Sequence, residues 1–258
     1  MQRRSFIKGS ALVAGAAVTG QAVASVQHPS SEKEIYELRV YHFKSGGQKN
    51  KVEQFYVDAL IPAMNEYDVK VGAFEEYSLS EPPTMYYLLV YPSFAEYHRI
   101  RKALWKNELF RKKSDTYFKE TAEKGTFTRY ETFLLEAFDA IPRLKMPDSS
   151  RGLFELRTYE SNNEEAGQRK IKMFNDEELG LFDEVGLHTT FFGEILAGPQ
   201  MPALVYMLWF KDMEERTTNW KAFTSSPKWR EMSSKPEYAN TVSVVNKMFL
   251  VPARYSQI

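Results

Sequence analysis

The 258-residue chain contains no cysteine, which excludes disulfide staples, thiolate nucleophiles, cysteine-held metals and a lipid anchor carried on cysteine. Packing alone must hold the fold. Glycine-rich phosphate loops and the G-x-S-x-G turn of serine hydrolases are also missing. The four histidines, His28, His42, His98 and His188, show no metal-ligand spacing, so no metal site is expected. Lys and Arg number 34, as do Asp and Glu, and no basic run is present, so a nucleic-acid partner is not expected. No apolar run reaches the roughly 20 residues that a membrane-spanning helix needs. Aromatic residues, by contrast, make up 14% of the chain, enough for a substantial core.

At the N-terminus, Arg3-Arg4-Ser5-Phe6-Ile7-Lys8 precedes an apolar, small-residue stretch from Ala11 to Val18, which leads to Ala22-Val23-Ala24, an A-x-A-like cleavage site. This resembles a bacterial twin-arginine (Tat) export signal over residues 1–24. The resemblance implies a protein that folds before export and works in the periplasm from Ser25 onward, with no stable membrane anchor. Loss of Arg3, Arg4 and Lys8 would leave 31 basic against 34 acidic residues, a mildly negative protein. Residues 25–34 read as a polar leader.

One stretch is written twice. Tyr36-Glu37-Leu38-Arg39-Val40-Tyr41 returns 118 positions later as Phe154-Glu155-Leu156-Arg157-Thr158-Tyr159. At an offset of 119, Phe55 meets Phe174, Leu60 meets Leu179, Glu75 meets Glu194, Tyr87 meets Tyr206, and Ser93 meets Asp212. The last two are both good helix N-caps. We therefore expect two units, 35–141 and 152–258, joined by a linker over 142–151 that carries Pro142 and Pro147.

Each unit has a readable order of elements. Ile35 to His42 alternates apolar and polar residues, a strand with two distinct faces. Val52, Phe55, Ala59, Leu60 and Ala63 fall at helical spacing, and Pro62 should kink or end that helix. Gly72 to Leu79 reads as a second strand. Met85 to Tyr91 is apolar throughout, the mark of a third strand covered on both faces. Ser93 and Glu96 predict a capping box that opens a second helix, and Phe127 to Phe138 a fourth strand. The order βαββαβ is ferredoxin-like and the class α+β. A lone unit would leave one sheet face wet, and the apolar strands Met85–Tyr91 and Leu204–Phe210 argue against that.

These residues carry a further resemblance. The strands Glu37–Tyr41 and Glu155–Tyr159, Leu208-Trp209-Phe210 with Asp212 and Arg216, and Phe249-Leu250-Val251-Pro252 with Tyr255-Ser256 resemble the NIPSNAP family of the dimeric α/β-barrel superfamily. The second copy matches better: the first has Val90 for Trp209, Tyr97 for Arg216 and Glu136-Ala137 for the closing proline. The resemblance implies two tandem ferredoxin-like units packed as a single-chain dimeric α/β barrel, an internal pseudo-dimer. It dictates no reaction. Haem enzymes occur in the superfamily, which makes His188 and His98 candidate axial ligands; otherwise no cofactor is expected.

On the first strand, Glu37, Arg39 and Tyr41 share a face, as do Glu155, Arg157 and Tyr159 on its repeat. The apolar face is expected to meet the helices and the polar face to line the barrel. Two readings stay open: a polar floor where Arg39 or Arg157 fixes an anionic or carbonyl group of a small, largely apolar ligand, or a paired network that sets strand register. Glu75 and Glu194 are further carboxylates, either general bases raised by burial or ion-pair partners. Trp209, with Tyr86, Tyr87, Tyr91, Tyr206 and Phe210, forms either an aromatic pocket wall or core. A ligand-binding barrel is the first expectation. A cofactor-independent oxygenase or isomerase, or a haem enzyme, is the second, and a structural module the third.

Overall fold

The computed structural model describes residues 32–78 and 80–258; residues 1–24, expected to be an export signal, and most of the expected leader lie outside the described residues. Eight strands close into one barrel: β1 (Ile35–His42), β2 (Lys70–Glu76), β3 (Thr84–Tyr91), β4 (Arg129–Ala137), β5 (Leu153–Glu160), β6 (His188–Ala197), β7 (Ala203–Phe210) and β8 (Val244–Pro252). Their order around the barrel is β1-β3-β2-β8-β5-β7-β6-β4. Each half is thus a ferredoxin-like sheet, and the two join at the β2–β8 and β4–β6 seams. In the first unit the helices are α1 (Gly46–Phe55), α2 (Ile61–Asn65), α3 (Phe94–Leu104), α4 (Glu108–Lys113) and α5 (Asp115–Phe118). The second unit carries α6 (Glu164–Met173), α7 (Leu179–Glu184), α8 (Met213–Ser225) and α9 (Pro227–Ser233).

A π-helical turn joins α1 to α2 at Tyr56–Leu60, and another joins α6 to α7 at Phe174–Glu178. Pro62 follows the first turn and Gly180 stands at the matching place in the second unit, so proline is not what imposes it. Through these turns the repeat runs at an offset of 118, as it does in β1 and β5. In β3 and β7 it has become 119. The extra residue is Thr190, bulged from β6 where pairing passes from Thr189–Leu208 to Phe191–Met207. The expected matches of Phe55 with Phe174 and Leu60 with Leu179 are therefore one residue out. Tyr56 matches Phe174, and both lie against the equivalent tyrosines Tyr87 and Tyr206, with ring centroids 3.6 and 5.5 Å apart. Glu75 and Glu194 lie beyond the bulge and are equivalent.

Helix starts follow the local chemistry. Asp212 Oδ1 accepts from the backbone N–H groups of Glu214 and Glu215 at 3.0 and 2.9 Å, so α8 is capped. Ser93 Oγ accepts from Glu96 N at 3.3 Å, but the Glu96 carboxylate takes Arg99 instead of reaching back. That cap is one-sided.

The barrel interior is filled by Tyr36, Leu38, Val40, Phe74, Leu88, Phe154, Leu156, Phe191, Val205, Met207 and neighbouring apolar residues. Tyr36 meets Phe191 and Phe74 meets Phe154, each with ring centroids 4.9 Å apart. The Glu/Arg/Tyr face of the first strand consequently points outward, beneath the helices, which reverses the orientation expected from the sequence. An interior surrounded by sheet on all sides offers those charges no donors or acceptors, and burying them unpaired would cost several kcal/mol per ion. The helix side supplies partners.

The two halves of the interior are not interchangeable. β2 has Gly72 then Phe74, whereas the equivalent positions of β6 carry Phe191 then Gly193. A Cβ at Gly193 would lie 2.9 Å from Leu135 Cβ and 3.2 Å from the Glu136 carbonyl oxygen, across the β4–β6 seam. Gly193→Ala should therefore cost about 1–3 kcal/mol as an overpacked core site, seen as a lower urea midpoint. An unchanged midpoint would mean the seam is looser than this close approach implies.

Candidate functional site

In the second unit, Glu155 on β5 is fully buried. It accepts from Arg157 Nε at 2.7 Å, from Arg216 Nε and Nη2 at 2.9 Å each, and from Trp220 Nε1 at 2.8 Å. Arg216 and Trp220 both come from α8, four residues apart and so on one helical face. The Arg157 guanidinium lies over Trp220, its Cζ 3.7 Å from the ring centroid. Its Nη1 donates to Tyr159 at 3.0 Å, and Tyr159 shares a 2.9 Å hydrogen bond with Tyr206. Burial pushes the Glu155 carboxyl up, but the hydrogen bonds and charges of Arg216 and Arg157 outweigh it and hold the group below its ordinary value of 4.5.

Over this floor lies a cavity of about 490 Å³ between the outer face of the sheet and the helices. Arg157, Tyr159, Arg216, Lys170 and Glu178 supply its polar wall; Met173, Trp220, Phe223, Trp229, Tyr238 and Val245 are among its apolar lining. Lys170 Nζ sits 2.5 Å from Glu178 Oε2, with side chains 5% and 3% exposed. Nζ also lies 4.2 Å from the Phe174 ring centroid. Burial raises the Glu178 carboxyl above its ordinary value, against the pull of Lys170.

The first unit repeats the floor with different partners. Glu37 accepts from Arg39 Nε at 2.8 Å and Nη2 at 3.0 Å, and from Tyr91 at 3.0 Å. Tyr97 stands where Arg216 would, and Arg101 where Trp220 would; Arg101 donates to Tyr97 at 2.8 Å. The cavity here is smaller, about 260 Å³, and largely aromatic. Phe55 and Tyr117 stack within it at 4.0 Å.

The NIPSNAP family model matches residues 36–135 and 154–257, most of both units. The chain belongs to the NIPSNAP family. No curated protein matches it in sequence. A candidate monooxygenase from Lactobacillus acidophilus shares its fold at a TM-score of 0.58, with 10% identity, over 86% of this chain and 94% of that one. An anthrone oxidase-like protein does so at 0.51 and 10% identity, over 86% and 92%. A NIPSNAP-family protein of unknown function from Agrobacterium tumefaciens is 20% identical over 43% of this chain and 96% of its own, at a TM-score of 0.38.

The other candidate residues of this NIPSNAP chain lie apart from the cavities. Glu75 pairs with Lys49 at 2.7 Å, and Glu194 accepts from Gln168 at 2.6 Å. Burial raises the Glu194 carboxyl, with Gln168 opposing and Glu136 adding. Both glutamates belong to the helix side of the sheet and neither lines the larger cavity. Trp209 is half-buried beside the barrel interior and stacks on His188, with centroids 4.4 Å apart. His188 Nε2 is 3.2 Å from Glu215, and His98 is exposed on α3. Neither histidine lines either cavity, so these residues do not fit an axial haem ligand. Tyr87, Tyr91, Tyr206 and Phe210 are fully buried core. Among the described residues no group of three or more side chains could hold a metal ion, and no helix is long and apolar enough to cross a membrane.

Sequence reading missed Lys170, Glu178 and Trp220. One signal was available. At an offset of 118, Lys170 matches Val52 and Glu178 matches Leu60, which are 0% and 2% exposed. A charged pair where the sister copy carries a buried apolar pair is conspicuous in that register, and an offset of 119 hides it.

Proposed function

We propose that the second unit's cleft binds a small organic anion with an aromatic or apolar body. The observation that carries this reading is the charge count at the cleft. Arg157, Arg216 and Lys170 face two carboxylates, Glu155 and Glu178, which leaves one positive charge among apolar walls. Among the described residues Arg216 Nη1 donates to no protein acceptor. A guanidinium nitrogen without a protein acceptor at a cavity wall favours a carboxylate, enolate or phenolate. Trp220, Phe223 and Trp229 would take the apolar body. Arg3-Arg4 and Ala22-Val23-Ala24 alone support placing the protein in the periplasm.

Thermal shift tests the reading. Aromatic carboxylates at a hundredfold excess over Kd should add about 2.7 kcal/mol of stability, and the matching amides far less. Arg157→Gln should abolish the difference. Equal shifts from acids and amides, or none from either, would sink the reading.

A cofactor-independent oxygenase or isomerase is the second reading. The similar folds described as a candidate monooxygenase and an anthrone oxidase-like protein favour it. Arg157 and Tyr159 would suit the anion of an activated aromatic or carbonyl substrate.

A further inference from the structure

Anion binding requires Arg157 and Arg216, but it does not require Lys170 and Glu178. The first unit closes the same two positions with Val52 and Leu60, so the fold can be completed there by apolar packing. A buried ion pair is seldom more stable than such an apolar pair. The second unit nevertheless carries both charges, Lys170 on α6 and Glu178 as the last residue of the π-helical turn, a feature frequent at functional sites. The Glu178 side chain is only 3% exposed, lines the cavity, and uses Oε2 for Lys170. Its Oε1 accepts no hydrogen bond from the described residues.

We infer that Lys170 and Glu178 form a proton-transfer pair acting on an enolisable aryl 2-oxo acid bound in the cleft. This rests on the anion-binding reading, with Arg157 and Arg216 holding the substrate carboxylate. The Glu178 carboxylate takes a proton from the carbon beside the ketone. The C–H electron pair becomes the new C=C bond and the carbonyl π pair moves onto oxygen. Lys170 gives that oxygen a proton, and the product is the enol, an isomer formed without oxidant or reductant. Glu178 then carries one proton too many and Lys170 one too few. Transfer across their 2.5 Å contact restores both. The two groups need no outside proton to reset.

Phenylpyruvate in D₂O is the probe, with loss of the methylene signal followed by proton NMR and binding followed by calorimetry. The wild-type protein should accelerate exchange above the buffer rate. Glu178→Gln should lower that acceleration by about 10²–10⁴-fold, the usual contribution of a positioned base, while Kd changes less than about threefold. The paired replacement Lys170→Val with Glu178→Leu copies the first unit. It should remain folded by circular dichroism and show no catalysed exchange. Binding without catalysed exchange would overturn the inference and leave the anion-binding reading standing. Unchanged exchange in Glu178→Gln would overturn it likewise. Absence of binding would overturn both.

Discussion

Replacing Glu178 by leucine with Lys170 left in place should lower the unfolding free energy by about 3–5 kcal/mol, whereas replacing both residues, Lys170→Val with Glu178→Leu, should be neutral or stabilising by about 1–4 kcal/mol. The asymmetry follows from desolvation. The single change leaves an ammonium in a site 5% exposed with its carboxylate gone. The paired change removes both desolvation costs and installs residues that the same fold already buries at 0% and 2% exposure. Urea unfolding of wild type and the two variants reads the result. A paired variant as unstable as the single one would mean that the π-helical turn of the second unit depends on the ion pair.

Glu155→Ala should be comparably damaging, at about 3–5 kcal/mol, because it strands two guanidinium groups and the Trp220 indole N–H around an emptied, fully buried position. Glu37→Ala should cost less, since only one guanidinium and the Tyr91 hydroxyl donate to Glu37. The same network sets a pH dependence. Glu155 is held below its ordinary value of 4.5, so its stabilising contribution is present above that value and lost as pH falls through the folded-state value. Glu178 is raised, so its linkage has the opposite sign: the contribution is full below 4.5 and lost as pH rises through its folded value. Urea midpoints from pH 6 downward should therefore fall less steeply in Glu155→Gln than in wild type. Parallel slopes would count against the network as a source of acid lability.

Several features were open to the sequence for identifiable reasons. Alternation in Tyr36–Tyr41 and its return at Phe154–Tyr159 announced a duplicated strand. The unbroken apolar runs Met85–Tyr91 and Leu204–Phe210 announced a sheet covered on both sides, and the barrel covers them so. Ser93 and Asp212 announced helix starts, because an N-cap is a contact over three residues. What was misread at the site came from two limits. Period 2 separates the Glu/Arg/Tyr face from the apolar face but cannot say which is inside when both are buried. A single inserted residue, bulged at Thr190, shifts the repeat by one without leaving a mark in composition.

By itself the sequence determined the duplication, the ferredoxin-like order of each unit and the pairing of two sheets, since all three rest on short-range periodicity and on apolar surface that must be covered. Only the tertiary structure decided where the charges go. Closing eight strands leaves an interior that apolar side chains already fill, so Glu155 and Arg157 turn outward to Arg216 and Trp220 of α8. It also decided that Lys170 and Glu178, eight positions apart, meet across a π-helical turn at a cavity wall. The first contact has no signature in local spacing, because the fold brings α8 within reach; the second shows in the sequence only through the 118-residue register of the repeat.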